Sequence, residues 1–399
     1  MQPTIKDRPS TEWIQSLRRR FPTEREIDRI LTRRMERRSG PGYKTLPLPE
    51  LVACIEALVR DRIGTSFSIG DARWLSGGAS KVQMAFTMEW DRPGVGYEKT
   101  AMVMRMEPAE SIVETSRLRE FQLLKAFEGV VPVPHGFWCD SEGKHLPYPG
   151  MICSFAPGVT KPTEASGGVT GMGILMPPAV REKLAPQFIQ HLCTIHGFDY
   201  SGAALDAFDV PRAGTTQCAE WCLNYFERVW EEDCEEDLPM MRTIASWLRR
   251  NLPQLDAPVM VHADYRSGNF LFTEHDTRIS AILDWELGHI GDRHQDIAWT
   301  TTRAFGSLAE DGKTFLVSGL MPETEFFESY ERASGVRLNP KTIRWYKIFN
   351  AFSLAVMTLA TGYRAARNGK THQDVLVTWV IGVGYSFMDE IRELIEEDY

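Results

Sequence analysis

Cysteine is scarce in this chain, seven in 399 residues, and no two stand in a C-x-x-C pair. That excludes a disulfide framework and gives no support to a zinc site. No Asn-x-Ser/Thr sequon occurs, and the opening residues MQPTIKDRPS hold no apolar signal core. The expectation is therefore cytoplasmic residence. No apolar run is long enough to cross a bilayer, which takes about 20 residues. The longest, 348–362, carries Asn350 and several hydroxyls and reads as a buried core helix. Basic residues are outnumbered, 45 to 54, for a net charge of −9. A chain of that sign is repelled on average by phosphate backbones and anionic lipid, so no nucleic-acid partner is expected.

What is present is a large globular chain. Hydrophobic residues make up 43% and charged residues 25%, enough for a sizeable core. At roughly 100–200 residues per domain, the length suggests two lobes. We divide it into a helical extension over 1–65, a small lobe over 66–156 and a larger lobe over 157–399, with an insertion near 160–178.

In the extension, residues 18–38 hold nine arginines against four acids, with Phe21, Ile27, Ile30, Leu31 and Met35 spaced for one apolar face. This reads as a solvated flank packing on the main body. The acidic run 231–237, six acids in seven residues, reads likewise as a solvated helix end. In the small lobe Val82, Met84, Phe86, Met88 and Trp90 alternate with polar residues, the period-two pattern of a half-buried strand. Strands over 71–74 and 101–106 flank it, a helix is expected over 111–127 stopped by Gly129, and a strand over 151–155. The larger lobe reads as mainly helical: 182–195, 217–232, 240–251, 323–334 and two segments within 341–398. Short strands are expected at 258–261 and 279–283.

Chemistry concentrates in 261–296: V-H-A-D-Y-R-S-G-N-F-L-F, a short spacer, A-I-L-D-W-E, then G-D-R-H-Q-D-I-A-W. Phosphoryl transfer needs a carboxylate at the acceptor hydroxyl and oxygen ligands that hold magnesium against nucleotide phosphates. Asp264 and Asn269 lie five apart in a loop between apolar runs, and Asp284 ends the next strand. Taken singly they would pass as turn residues. Together they suit one acid at the acceptor and two oxygen ligands for Mg²⁺ rather than zinc.

H-A-D-Y-R-S-G-N followed by I-L-D-W-E resembles the catalytic loop and metal segment of the aminoglycoside phosphotransferase and choline kinase-like family. The resemblance runs from about residue 70 to 365. It implies the α+β, two-lobed protein-kinase-like fold, with a small antiparallel sheet above a mainly helical lobe, and use of ATP and Mg²⁺. It makes Asp264 the catalytic base and Asn269 and Asp284 the metal ligands. Asp292 and Asp296 become structural braces, and Ala263 stands where the family commonly has glycine. Residues 75–81, L-S-G-G-A-S-K, resemble the phosphate-covering hairpin, which assigns Gly77, Gly78 and Ser80 to the nucleotide. Ser154 to Ala156 resemble the hinge whose backbone meets adenine.

The third strand departs from the kinase pattern. Arg105 stands where a phosphate-gripping lysine is usual, and the nearest lysine in that strand is Lys99. This resembles the branch fused to acyl-CoA dehydrogenases, which carries an arginine there and an Arg-Glu pair in the next helix, here Arg119-Glu120. The expectation is that Arg105 pairs with Glu120, with Arg119 as competitor. Two functions follow: a small-molecule kinase, or a non-catalytic nucleotide-binding scaffold of the same fold. The helical lobe is rich in Trp299, Trp345, Phe349, Phe352, Met357 and Trp379. If some line the acceptor pocket, the acceptor is partly apolar. A near P-loop at 306–314 has five residues between its glycines where four are required, so it is set aside. His196 reads as a helix-end histidine, and Cys218 with Cys222 as core.

Overall fold

The structure, a computed structural model, describes residues 4–75, 80–162, 173–372 and 374–396. Gly77 and Gly78, and the side chain of Trp379, lie outside what is described.

The chain opens with three helices, α1 (Thr11–Arg20), α2 (Arg25–Arg37) and α3 (Leu48–Arg62). A five-stranded antiparallel sheet follows, built from β1 (Phe67–Trp74), β2 (Val82–Arg92), β3 (Gly96–Met106), β4 (Gly136–Asp140) and β5 (Gly150–Ser154), in the order β1-β2-β3-β5-β4. The expected alternation is realised: Val82, Met84, Phe86, Met88 and Trp90 point to the face that α3 covers with Leu51, Ile55, Leu58 and Val59. Because side chains alternate along a strand, the opposite face takes the other residues. β2 opposes β3 with Ala85 against Val103 and Gln83 against Arg105, so one step further along the same face Lys81 comes beside Glu107.

The helix between β3 and β4, α4 (Arg117–Phe127), starts six residues later than expected. Ser116 caps it, accepting from the N–H of Arg119. The preceding segment is diverted by the Lys81 ammonium, which donates to Ser111 Oγ at 2.9 Å and to the Val113 carbonyl at 3.4 Å.

The larger lobe contains α5 (Pro178–His196), α6 (Gln217–Asp233), α7 (Pro239–Arg250), β6 (Val259–Val261), β7 (Phe270–Thr273), β8 (Arg278–Ile282), β9 (His289–Gly291) and α8 (Arg293–Thr300). A small sheet of β10 (Ser307–Leu308), β11 (Phe315–Val317) and β12 (Met321–Pro322) precedes α9 (Glu323–Ser334), α10 (Pro340–Ala355), α11 (Tyr363–Arg367) and α12 (Asp374–Glu396). The apolar run 348–362 is buried as expected, as the end of α10 and a π-helical turn, Val356–Gly362. Beyond the hinge, Val159 pairs with Phe272 of β7 through hydrogen bonds of 3.0 Å in both directions. Gly158 permits that approach: its φ is +133°, and a Cβ there would come within 2.7 Å of Ser280 Oγ.

The two charge runs are solvated only in part: Arg19, Arg20, Arg37, Glu235, Glu236 and Asp237 are exposed, while the buried members are partners. Arg34 meets Glu232 at 2.5 Å and Asp233 at 2.8 Å, and Arg38 meets Asp233 at 2.7 Å and Glu110 at 2.9 Å. Arg228 bonds Asp28 at 2.6 Å and Glu232 at 2.8 Å. Arg34, Arg38, Glu232 and Asp233 have no exposed side-chain surface. Burial penalises an isolated charge so strongly that it is tolerated here only because opposite charges are buried with it. The arginine-rich helix α2 is thereby fastened to the acidic end of α6.

Candidate active site

β6 delivers residues 262–269 as a loop that β7 closes. Asp296 of α8 braces it from below, accepting from the N–H of His262 at 2.8 Å and of Ala263 at 2.7 Å. Asp296 also meets His196 Nε2 at 3.1 Å, while His196 Nδ1 meets the Tyr330 hydroxyl at 2.7 Å. Burial alone would raise the Asp296 pKa, but these contacts outweigh it and hold the carboxyl below its ordinary value. The brace sustains an uncommon backbone: Ala263 has φ +63°, a left-handed region that glycine occupies at lower cost. His196 is thus structural, as expected.

His262 ties this loop to the next strand. Its Nδ1 accepts the Asp264 N–H at 3.2 Å and its Nε2 donates to the Leu283 carbonyl at 2.9 Å. Only the neutral ring does both, and burial pushes its pKa down accordingly. Asp284 follows Leu283 directly, itself left-handed at φ +59°.

These connections bring Asp264, Asn269 and Asp284 together. Asp264 Oδ1 accepts from Arg266 Nε at 2.8 Å and from Trp299 Nε1 at 2.7 Å. Asn269 Nδ2 donates to Asp264 Oδ2 at 2.5 Å and to its carbonyl at 2.9 Å, which leaves the amide oxygen of Asn269 for a cation. Burial raises the Asp264 pKa, Arg266 opposes the rise and Asp284 adds to it; the net shift is upward. Trp299 was not foreseen as a partner of Asp264, since no sequence spacing links it to a residue 35 positions away.

Arg105 reaches Glu120 at 3.2 Å, as expected, but lies nearer to Asp284, at 2.7 Å. The competitor for Glu120 is Arg117 rather than Arg119. Arg119 turns instead to Glu24, at 3.2 Å, and to the Gly288 carbonyl. Arg117 also bonds Glu107 at 2.7 Å and Glu286 at 2.9 Å, and Lys81 meets the same two acids at 3.0 and 3.1 Å. Burial would raise Glu286, yet Lys81 and Arg117 prevail and hold it at about 2. The cluster alternates three cations (Lys81, Arg105, Arg117) with four acids (Glu107, Glu120, Asp284, Glu286). Lys81, Arg117 and Glu286 escaped sequence reading. The signal was present for Lys81: counting in twos from Gln83 sets it on the face of Arg105, once the strand register is known. Lys99 sits at the far end of β3, paired with Glu89.

Ser80 hydrogen-bonds Ser111 and Lys81 at the edge of this cluster. At the hinge, Ser154 does not offer its N–H outward: it donates to the His135 carbonyl at 2.8 Å, and its hydroxyl accepts the His135 N–H at 2.9 Å. The Phe155 N–H is committed to the Ala101 carbonyl. Of the apolar residues singled out above, Trp299, Phe349 and Met357 border a cavity beside Ala263, whereas Trp345 and Phe352 are core. Among the described residues no three His, Cys, Asp or Glu side chains gather as a metal cluster. None of the described helices is long and apolar enough to cross a membrane.

A sheet lobe over a helical lobe, with paired carboxylates and an amide at their junction, defines a protein-kinase-like phosphotransferase fold. Solved structures agree. A protein described as an aminoglycoside phosphotransferase, from Ralstonia eutropha JMP134, superposes with a TM-score of 0.61 at 19% identity, covering 87% of this chain and 98% of the other. A macrolide 2'-phosphotransferase of type I gives 0.53 at 17% identity, covering 86% and 99%. The model of the phosphotransferase enzyme family matches residues 92–334, and the chain belongs to that family. Among curated proteins it is similar to acyl-CoA dehydrogenase family member 10 of Mus musculus, 28% identical over half of this chain and 18% of the relative. It is also similar to family member 11 of Pongo abelii, 24% identical over 63% of this chain and 32% of the relative. The chain therefore spans about a third or less of those relatives' length.

Proposed function

We propose that the protein is an ATP- and Mg²⁺-dependent kinase that moves the γ-phosphoryl group to a hydroxyl of a small, partly apolar molecule. The observation that carries this reading is the convergence of Asp264, Asn269 and Asp284 on one junction between the segments 66–156 and 157–399. Nucleotide lies between those segments, with the Ala156 backbone at the base and Arg105 and Ser80 toward the phosphates. Asp264 Oδ2 takes the hydroxyl proton as the acceptor oxygen bonds to phosphorus and the bond to the β-phosphate oxygen breaks, releasing ADP. Trp299 and Arg266 hold the other oxygen of the base, fixing its orientation. The donor set fits Mg²⁺: the Asn269 amide oxygen and Asp284 are hard oxygen ligands, and Arg105 engages only Oδ1 of Asp284. When bound, the ion neutralises charge on the transferred phosphate. Glu120 anchors Arg105 from α4 and so sets how far its guanidinium reaches toward phosphate.

The direct test is titration calorimetry of ATP with and without Mg²⁺. Wild type should bind in a magnesium-dependent manner and Asp284→Ala should lose that dependence. Equal binding by the two would remove Asp284 from the metal site. Wild type that binds nucleotide but never turns it over would favour the scaffold reading, which the Arg105–Asp284 contact otherwise motivates.

A pH profile tests the base. Asp264 acts as a carboxylate, so the rate falls as pH drops through its folded pKa. Because burial raises that pKa, the acidic limb of kcat/KM should lie above the ordinary aspartate value of about 3.9. A limb at or below that value would contradict the assignment.

A further inference from the structure

The buried charges around Arg105 close into a circuit. Arg105 lies 3.2 Å from Glu120, and Glu120 is bonded in turn by Arg117. Arg117 reaches Glu286 at 2.9 Å. The chain leads back from Glu286 through Trp285 to Asp284, which meets Arg105 at 2.7 Å. Arg105, Arg117 and Glu120 come from β3 and α4, whereas Asp284 and Glu286 stand on the turn after β8. Lys81, just ahead of β2, adds a second cation to Glu286 at 3.1 Å.

These contacts fall on a single oxygen. Glu286 Oε2 meets the Lys81 ammonium and the Arg117 guanidinium, and it accepts from the Thr115 hydroxyl at 3.4 Å. Lys81 and Arg117 have at most 1% of their side-chain surface exposed. With so little water present, charged hydrogen bonds are strong and their geometry is fixed.

Neither Lys81 nor Glu286 has a part in the reaction proposed above. What they hold is backbone. Asp284 is left-handed at φ +59° and leads directly into one turn of 3₁₀ helix, Trp285–Leu287. A residue other than glycine persists in that region where its surroundings over-determine it. This turn is pinned twice. Trp285 stacks on Phe127 with ring centroids 4.5 Å apart, meets the His262 ring at the same separation and donates to the Ile282 carbonyl at 3.0 Å. The next residue, Glu286, is pinned by the cations. Relaxing Asp284 to a right-handed conformation would break one of these two anchors.

We infer that Glu286 is a positioning residue for the metal ligand Asp284: Lys81 and Arg117 grip it from the sheet and from α4, and through the turn they hold the Asp284 carboxylate beside Arg105. The inference rests on the kinase reading and adds to it the device that fixes the metal ligand. Replacing residues that support a ligand from behind typically changes metal affinity about 10–100-fold.

Titration calorimetry of the full chain with ATP, once with Mg²⁺ and once with EDTA, gives the factor by which magnesium tightens binding. Two variants separate position from charge. Lys81→Met removes a cation, so charge alone would favour Mg²⁺ and raise the factor. Glu286→Asp keeps the charge and withdraws it by one methylene, so charge alone would leave the factor within about twofold. Positioning predicts that each variant lowers it by about tenfold or more. A folding defect reduces the number of sites per chain and not the affinity of those that remain, so it registers separately. Either variant suffices if the other does not fold. The inference is overturned if folded Lys81→Met keeps or raises the wild-type factor, or if folded Glu286→Asp keeps it. It is also overturned if affinity falls equally with and without magnesium, since Glu286 would then shape the nucleotide site as a whole. Wild type without any magnesium dependence, or Asp284→Ala that retains it, would instead overturn the metal-site reading beneath.

Discussion

Asp264→Asn should lower kcat on the proposed reaction by about 10³-fold or more while nucleotide affinity stays within about twofold. That loss equals about 4 kcal/mol of barrier. The amide preserves the shape of the carboxylate and one acceptor oxygen, so the pocket should survive. It cannot take the hydroxyl proton, and it presents a neutral group to Arg266 and Trp299, both of which meet Oδ1 within 2.8 Å. Steady-state kinetics combined with nucleotide titration separates the two quantities. Turnover unchanged in the variant would remove Asp264 from its role; joint loss of turnover and binding would point to collapse of the loop that Asp296 braces.

The second large effect concerns stability. Asp233→Ala should destabilise the fold by about 3–5 kcal/mol, because removing one member of a buried ion network leaves its partners charged and unpaired. Asp233 Oδ2 lies 2.8 Å from Arg34 and accepts from Thr361 at 2.8 Å; Oδ1 lies 2.7 Å from Arg38. Arg364 Nε donates to the Asp233 carbonyl at 3.0 Å. With total stabilities of 5–15 kcal/mol usual, such a loss is a large share. Urea denaturation measures it, and a midpoint within 0.3 M of wild type would refute the network's contribution. The pH dependence has a definite sign. Burial would raise the pKa of Asp233, but Arg34 and Arg38 outweigh it and hold it well below the ordinary range. The stability it contributes is then present above the unfolded value of about 3.9 and is lost as pH falls toward the folded one. α1 and α2 should become protease-sensitive in the variant, since α2 is held to α6 through these arginines.

The segment from His262 to Asp284 was legible because its chemistry is local. Asp264 and Asn269 stand five residues apart in one loop, and β8 ends two residues before Asp284, so order and spacing alone single out these three residues. The alternation in β2 was legible for a similar reason: a strand's two faces are written in every second residue. Arg105 paired with Glu120 followed from the resemblance to the branch fused to acyl-CoA dehydrogenases.

The errors share another cause. The helix expected from residue 111 begins at Arg117, because Lys81, 30 positions earlier, captures Ser111. Ser154 looked available at the hinge until His135 folded against it. The arginine run of α2 and the acidic run of α6 each looked solvated, since nothing within either run reports that the other, some 200 residues away, will be buried against it. Sequence by itself determined the chemical groups and the local periods: Asp264, Asn269 and Asp284, the strand faces and the arginine at position 105. Tertiary structure decided which charges are neutralised by which and that Trp299 holds the Asp264 carboxylate. The physical reason is that a helix turn or strand pleat is set by neighbours a few residues away, whereas desolvation and ion pairing depend on what the completed fold brings into contact.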